Sequence, residues 1–414
     1  MIDNDANTAP PPLSEPARLG RLGALLAVVN AGWALPSAAG GTLLQALMAQ
    51  QRGADKVGSL ALVTTVGAVI AVVTTVVAGA LSDRTRSRFG KRNPWILGGA
   101  VASATGLTLT GLLPWLPAQI VTVALFQAGL SAMLAAVNAL LPDRVAESAL
   151  GRASAYSGLG YLVGTAVGGV VASAAIGFPA LGLVIVPWTM VAAALLLVLL
   201  VHGRSSLADP RPPLSVRALA RSLLPPKDRD FLLAFVGRFC TILGLTVIAF
   251  YQLYIYTDFL HVDTATAAAD IAAGTVLLGA TALIGTVSGG LLSDRLRRRR
   301  PLVVLASALI AAAALPVTLT PSVPALTVFY IVAGLGYGLY LSVDQALMVE
   351  VLPDTTAAAK QLGMLSVANS APSVIAPAIA AVVVTLLGFH ALFLFTVVIA
   401  VLGGGCVAAI RRVR

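Results

Sequence analysis

The sequence predicts an all-α integral membrane protein, with twelve transmembrane helices arranged as two pseudo-symmetric six-helix bundles. Three observations lead there. Hydrophobic residues make up 58% of the chain against 11% charged, which is not the balance of a soluble protein. The apolar residues fall in runs of about 20 or more, the length that a hydrocarbon core of roughly 30 Å requires. The second half of the chain also repeats landmarks of the first at one offset: "GALSDR" at 79–84 lies 211 residues before "GLLSDR" at 290–295, and "LPD" at 141–143 lies the same distance before "LPD" at 352–354. Two matches at one offset mark an internal duplication.

Residues 1–20 are polar and Pro-rich ("TAPPPLSEP"), with three acids before the first Arg. A secretory signal begins basic, so this segment reads as a disordered cytoplasmic tail. Apolar runs bounded by charge, Pro or Gly then predict helices at roughly 22–48, 57–81, 94–113, 118–140, 152–176 and 180–201, forming a first bundle over 21–202. A charged, Pro-containing linker spans 203–229. The second bundle, 230–414, holds predicted helices at roughly 230–257, 271–292, 301–319, 323–349, 360–387 and 389–410. Internal Gly and Pro are compatible with membrane helices, because neighbouring helices and side chains take up the freed backbone groups.

With twelve spans both termini share a side, and the cations choose it. Of the 27 Lys and Arg residues, 24 fall in the tails, the linker and the loops of one face. The opposite face has Arg52 and Lys56, and Arg238 alone lies within a span. The positive-inside rule makes both termini and the linker cytoplasmic, in a multi-pass protein of the cytoplasmic membrane. The net charge of +10 is then a topology signal beside the bilayer, and nucleic acid is not an expected partner.

Cys240 and Cys406 both sit in apolar segments, which argues against a disulfide framework and a Cys-based metal site. His202, His261 and His390 lie near span ends without ligand spacing, and no G-x-x-x-x-G-K-[ST] phosphate loop occurs. No cofactor or metal is expected, and no catalytic cluster or appended domain suggests an enzyme or a sensor.

The loop "GALSDRTRSRFGKRNP" at 79–94 carries a family likeness. It resembles the signature between helices 2 and 3 of the major facilitator superfamily, G-x-x-x-D-R-x-x-x-R-x-G-[RK]-R. The form of its second part is similar to sucrose transporters and, more loosely, to glycoside-pentoside-hexuronide cation symporters. "GWALPSA" at 32–38 looks like the first helix of the sucrose group, although Asn93 stands where that group often has Arg. The resemblance implies a secondary active transporter that works by alternating access on a small organic solute, as a monomer, with a sugar or glycoside as substrate. A competing signal is "GYLVGTAVGG" at 160–169, which resembles an antiporter motif of exporters of drugs or secondary metabolites, with Thr165 in place of its proline. Small residues every four positions also make an ordinary close helix contact.

The resemblance also suggests roles for residues. Asp83 and Asp294, equivalent in the repeat, are expected to brace a cytoplasmic gate by facing the start of a helix in the other half, where free N–H groups favour an anion. Asp83 would face Thr355 to Gln361, and Asp294 would face Ala149 to Ser154. Arg84, Arg88, Arg92, Asp143, Arg144, Arg295, Glu350 and Asp354 complete the gate set. Charge inside a membrane is a functional signal, and Arg238 in helix 7 and Asp344 in helix 10 stand at nearly matching depths, about eight and about six residues from the cytoplasmic helix ends. They are expected to pair as a proton-linked switch, or as a static ion pair.

Polar and aromatic residues on the cavity helices supply the candidate solute contacts: Asn30, Trp33, Gln45, Gln127, Tyr251, Gln252, Tyr337, Tyr340, Gln345 and Asn369. Tyr337, Tyr340 and Asp344 follow i, i+3, i+7 spacing and so share a helix face. The first six spans contain no acid, which the sodium site of melibiose-type symporters needs, so a proton is the expected coupling ion.

Overall fold

The computed structural model describes residues 19–145, 149–201, 205–207, 228–296, 299–350 and 358–411. Its helices are α1 (Leu19–Arg52), α2 (Lys56–Arg84), α3 (Asn93–Leu112), α4 (Leu116–Arg144) and α5 (Leu150–Ala175). An α6 follows in two pieces, Pro179–Ile185 and Trp188–Leu200. The second half has α7 (Arg229–Ala249), α8 (Thr264–Leu296), α9 (Arg300–Leu319), α10 (Val323–Glu350), α11 (358–387) and α12 (389–408).

Among the described residues, ten stretches are long and apolar enough to cross a membrane, and two of them contain two helices each. The stretch Arg21–Arg84 breaks at Gly53 (φ +52°), and Ala371–Ala408 breaks at Gly388 (φ +79°). Only glycine takes a positive φ without steric cost, so these two residues turn continuous apolar sequence into hairpins and bring the count to twelve.

Helix starts follow local chemistry. Pro94 and Pro301 occupy first turns, where a missing N–H is no loss. Asp228 caps α7 by accepting from Phe231 N at 2.9 Å, and Asp263 caps α8 by accepting from Ala265 N and Thr266 N at 3.1 and 3.0 Å. That cap explains one departure from expectation: α8 begins at Thr264 rather than near 271, because the Ala-rich "TATAAADI" is a good helix former once its first amides are satisfied. Asp270 is therefore a further charge inside a helix, beyond the two that the sequence singled out. The expected seventh span, 230–257, is not one continuous helix: α7 ends at Ala249, and after a turn at 250–251 the chain continues through the helical turn Gln252–Tyr254 and the π-turn Ile255–Phe259.

Within the first half α1 packs on α5, α4 on α2 and α3, and α6 on α1 and α3. The second half pairs α7 with the α11–α12 hairpin and α10 with α8 and α9. The halves meet along α2 against the α11–α12 hairpin and α5 against α8. Small residues permit the close contacts. A Cβ on Gly164 or Gly168 would stand 2.5 Å from the carbonyl oxygen of Ala31 or Leu35, and one on Gly160 would overlap the Ala27 carbonyl. The perimeter is apolar, with Val69, Val73 and Val77 of α2 and Ile284, Val287 and Leu291 of α8 all exposed, as a lipid-facing surface requires.

Candidate functional site

The central feature is a buried ion pair. Arg238 Nη2 of α7 lies 3.2 Å from Asp344 Oδ2 of α10, with side chains 8% and 2% exposed. A charge pair in such a place persists only if geometry and further hydrogen bonds offset desolvation, and here they are incomplete. Arg238 Nε, Asp344 Oδ1 and the Tyr340 hydroxyl are all buried without a hydrogen-bond partner among the described residues. Tyr340 stands beside Asp344 without completing a well-formed bond. Three unmet polar atoms at one place form spare binding capacity, since each unsatisfied group costs about 1–3 kcal/mol.

Aromatic side chains connect this pair to the first half. Tyr337, one helical turn from Tyr340, lies within electrostatic reach of Arg238, Asp344 and Tyr161 of α5. The Tyr161 ring is 5.5 Å from that of Trp33. Trp33 Nε1 donates to Asn30 Oδ1 at 3.1 Å, and Asn30 Nδ2 donates to the Leu26 carbonyl at 2.8 Å, which fixes the indole. Along α1 the same face continues through Gly41, which is exposed and has nothing within 4 Å of an added Cβ, to Gln45.

At the face opposite the basic loops, the halves are locked together. Leu253 N donates to Gln45 Oε1 and the Tyr254 hydroxyl to the Gln45 carbonyl, both at 2.9 Å. The Tyr251 hydroxyl reaches the Val57 and Pro377 carbonyls at 3.2 Å each. Lys56 Nζ is 2.7 Å from Asp258 Oδ2 and lies over the Tyr254 ring, 4.8 Å from its centroid. A cleft of about 260 Å³ lined by Gln50, Lys56, Thr257 and Asp258 opens at this end.

On the basic face, Arg92 organises the signature loop. Only 8% exposed, it contacts Asp83 Oδ1 at 2.6 Å, Asp143 Oδ2 at 3.0 Å and Ser82 Oγ at 2.8 Å, while Lys91 also reaches Asp143. All four contacts lie within the first half. Ser206, at the start of the linker, donates to the Thr85 carbonyl at 3.0 Å and through its backbone N–H to the Ser87 carbonyl at 3.1 Å, pinning the same loop.

Comparison with known proteins decides the family to which this geometry belongs. The family model described as Major Facilitator Superfamily matches residues 22–298 and 234–414. The chain belongs to the Major Facilitator Superfamily. Its fold is similar to that of a bacterial homolog of the human lysosomal transporter Spinster, solved inward-facing and occupied, with TM-score 0.70 and 15% identity over 97% of this chain and 98% of that one. It is also similar to a POT family transporter in complex with 5-aminolevulinic acid (TM-score 0.75, 13% identity, 94% and 96% covered). A third likeness is to a mutant form of the nucleoside transporter NupG (TM-score 0.71, 14% identity, 94% and 98% covered). No curated protein sequence matches the chain. Family and fold make this a multi-pass membrane transporter rather than an enzyme.

Within this superfamily member the expected solute contacts separate into two groups. Asn30, Trp33, Tyr337 and Tyr340 lie along the path to the ion pair. Gln45 and Tyr251 are instead engaged in the lock at the far end, with Gln252 half-buried beside them, and Gln127 lies against Gly67 of α2. The side chains of Gln345 and Asn369 lie outside the described residues. Of the gate set, Asp83, Arg92 and Asp143 form one cluster, Arg84 is half-buried at the end of α2, and Arg88 and Arg295 are exposed. Arg144, half-buried, ends α4. The side chains of Asp294 and Glu350 and the whole of Asp354 lie outside the described residues, as do 355–357 of the segment proposed to receive Asp83 and the side chains of 358–361, which open α11. The glycines of "GYLVGTAVGG" are the α1 contact, with Gly169 turned to Ala272 of α8. Sequence reasoning missed Tyr161, whose neighbours in the glycine motif drew the attention, and the Lys56–Asp258 pair, whose partners are 202 residues apart.

Proposed function

We propose that this protein is a proton-coupled secondary active transporter that moves a small hydroxylated organic solute by alternating access. It would act as a monomer in the cytoplasmic membrane with both termini cytoplasmic. The observation that carries the reading is the Arg238–Asp344 pair, buried in the membrane interior and left, among the described residues, with unmet hydrogen-bonding atoms. Opening such a pair strands a charge in a poor solvent for charge, so separation is coupled to neutralising Asp344 with a proton. A solute that engages Arg238 and Tyr340 favours that separation, which links solute binding to protonation.

Alternating access needs two ends that open in turn, and the far-end lock supports this. Its contacts are hydrogen bonds and a partly exposed ion pair, each modest enough to break in a cycle. With the basic face cytoplasmic, this arrangement corresponds to an inward-facing state. A sugar or glycoside is the first solute class to test, on the strength of the "GWAL" and loop resemblance. The solutes named for similar folds, 5-aminolevulinic acid and nucleosides, are likewise small and polar.

Proton flux in proteoliposomes on adding a panel of sugars, and of lipophilic cations as the efflux control, tests the reading. Co-movement of protons with at least one member of the panel, which includes sugar acids beside neutral sugars, is expected. Movement in opposite directions would indicate an exporter, and solute movement with no proton flux would discard the coupling.

A further inference from the structure

The fixed charges of the central site narrow the solute class, on the premise of the proton-coupled reading above. Among the described residues, the site holds one cation, Arg238, and one anion, Asp344, and each is the other's partner. The other titratable groups facing them are Tyr340 and Tyr337 of α10, with Tyr161 of α5 reached through Tyr337. Three kinds of solute could load it. A neutral solute arriving with a proton neutralises Asp344 and leaves Arg238 as an uncompensated buried cation, a strongly unfavourable outcome. An organic cation that takes Asp344 away from Arg238 leaves the same excess of one positive charge. A monoanion arriving with one proton takes Arg238 while Asp344 becomes neutral, so the site starts and finishes without net charge.

The unmet atoms fit the third case. Among the described residues, Arg238 Nε and the Tyr340 hydroxyl are buried donors without acceptors, and a protonated Asp344 adds a third donor at the same place. An oxyanion, with several lone pairs, meets donors that a single neutral hydroxyl cannot saturate. Tyr337, Tyr161 and Trp33 offer apolar faces with polar edges to the rest of the molecule.

We infer that the solute is a small hydroxylated organic monoanion, most simply a carboxylate, whose oxygens replace Asp344 on Arg238 as Asp344 Oδ accepts a proton. The anion and the proton then travel together and no net charge crosses the membrane.

Matched sets that differ only in charge test this in proteoliposomes: D-glucuronate, methyl glucoside and D-glucosamine, and 4-hydroxybenzoate, 4-hydroxybenzyl alcohol and tyramine. Proton uptake is read by an internal dye, with the membrane potential clamped at zero or inside-negative. Anion members should drive proton uptake at rates that do not change with potential, and Arg238→Gln should lower those rates at least tenfold. Arg238→Gln leaves Asp344 unpaired, so the double variant Arg238→Gln/Asp344→Asn serves as the folding control; it should insert and remain monodisperse yet carry no anion. Proton uptake with the neutral members and not the anions overturns the inference while leaving proton-coupled transport standing. Anion flux that follows the potential, or that survives in Arg238→Gln, overturns it as well. No proton movement with any member overturns both this inference and the coupled reading beneath it.

Discussion

Loosening the far-end lock should shift the protein toward the state open on that face, by an amount the contacts set. Of the side-chain interactions that tie the halves there, two can be removed without touching Gln45 or Tyr251: Lys56 to Asp258 at 2.7 Å, with side chains 20% and 31% exposed, and the Tyr254 hydroxyl to the Gln45 carbonyl at 2.9 Å. A partly exposed ion pair contributes about 0.5–1 kcal/mol, and a buried hydrogen bond about 1 kcal/mol. Asp258→Asn with Tyr254→Phe, which keeps the ring beneath Lys56, should therefore remove up to about 2 kcal/mol, or about a thirtyfold shift at 1.4 kcal/mol per tenfold. Gly41 is the reporter, because it lies one turn from Gln45 on the same helix face and is exposed, with room for a side chain. In a background with Cys240 and Cys406 replaced by Ala, Gly41→Cys should react slowly with an impermeant thiol reagent added from the far face. The double variant should speed that reaction by roughly the same factor. An unchanged far-face rate would show that these contacts do not hold the halves closed.

Three further outcomes follow from the packing and the loops. Gly164→Leu pushes a side chain into the Ala31 carbonyl and should destabilise the α1–α5 contact by about 1–3 kcal/mol, read as a lower midpoint of thermal unfolding in detergent. Arg92→Lys loses the planar fork that holds Asp83, Asp143 and Ser82 together and should cost about 2 kcal/mol, whereas Asp83→Ala should insert normally and cut transport; full transport by Asp83→Ala would remove it from the mechanism. At the start of α8, the Thr266 side chain and the backbone N–H groups of Thr266 and Ala265 hold the Asp263 carboxyl below its usual range. Its contribution is present above the ordinary Asp range and lost as pH falls through the lowered value, so amide protection of Ala265 and Thr266 should drop in strong acid, and Asp263→Asn should flatten that dependence.

The fold was largely legible because membrane helices declare themselves by composition and length, and the "SDR" repeat tied the halves together. What escaped was local. The early start of α8 depends on a cap at Asp263, which polar sequence disguises as loop, and the break of the seventh span after Ala249, with a π-turn beyond it, is one that no periodicity announces. The ion pair was legible because charge within an apolar span is rare enough for two depths to be matched. Gln45 and Tyr251 were not separable from solute contacts, since sequence shows which face of a helix is polar but not how the two halves are tilted at that depth. Tyr161 joined the site only once α5 was seen to lie on α1 through its glycines.

The central claim is that protonation of Asp344 is what links solute to the proton gradient. The direct measurement compares exchange with accumulation for Asp344→Asn, using whichever solute the native protein concentrates in proteoliposomes. This variant, fixed in the neutral form, should still exchange labelled for unlabelled solute at equal concentrations but should no longer accumulate it when a pH gradient is applied. Accumulation at the native level by Asp344→Asn would contradict it.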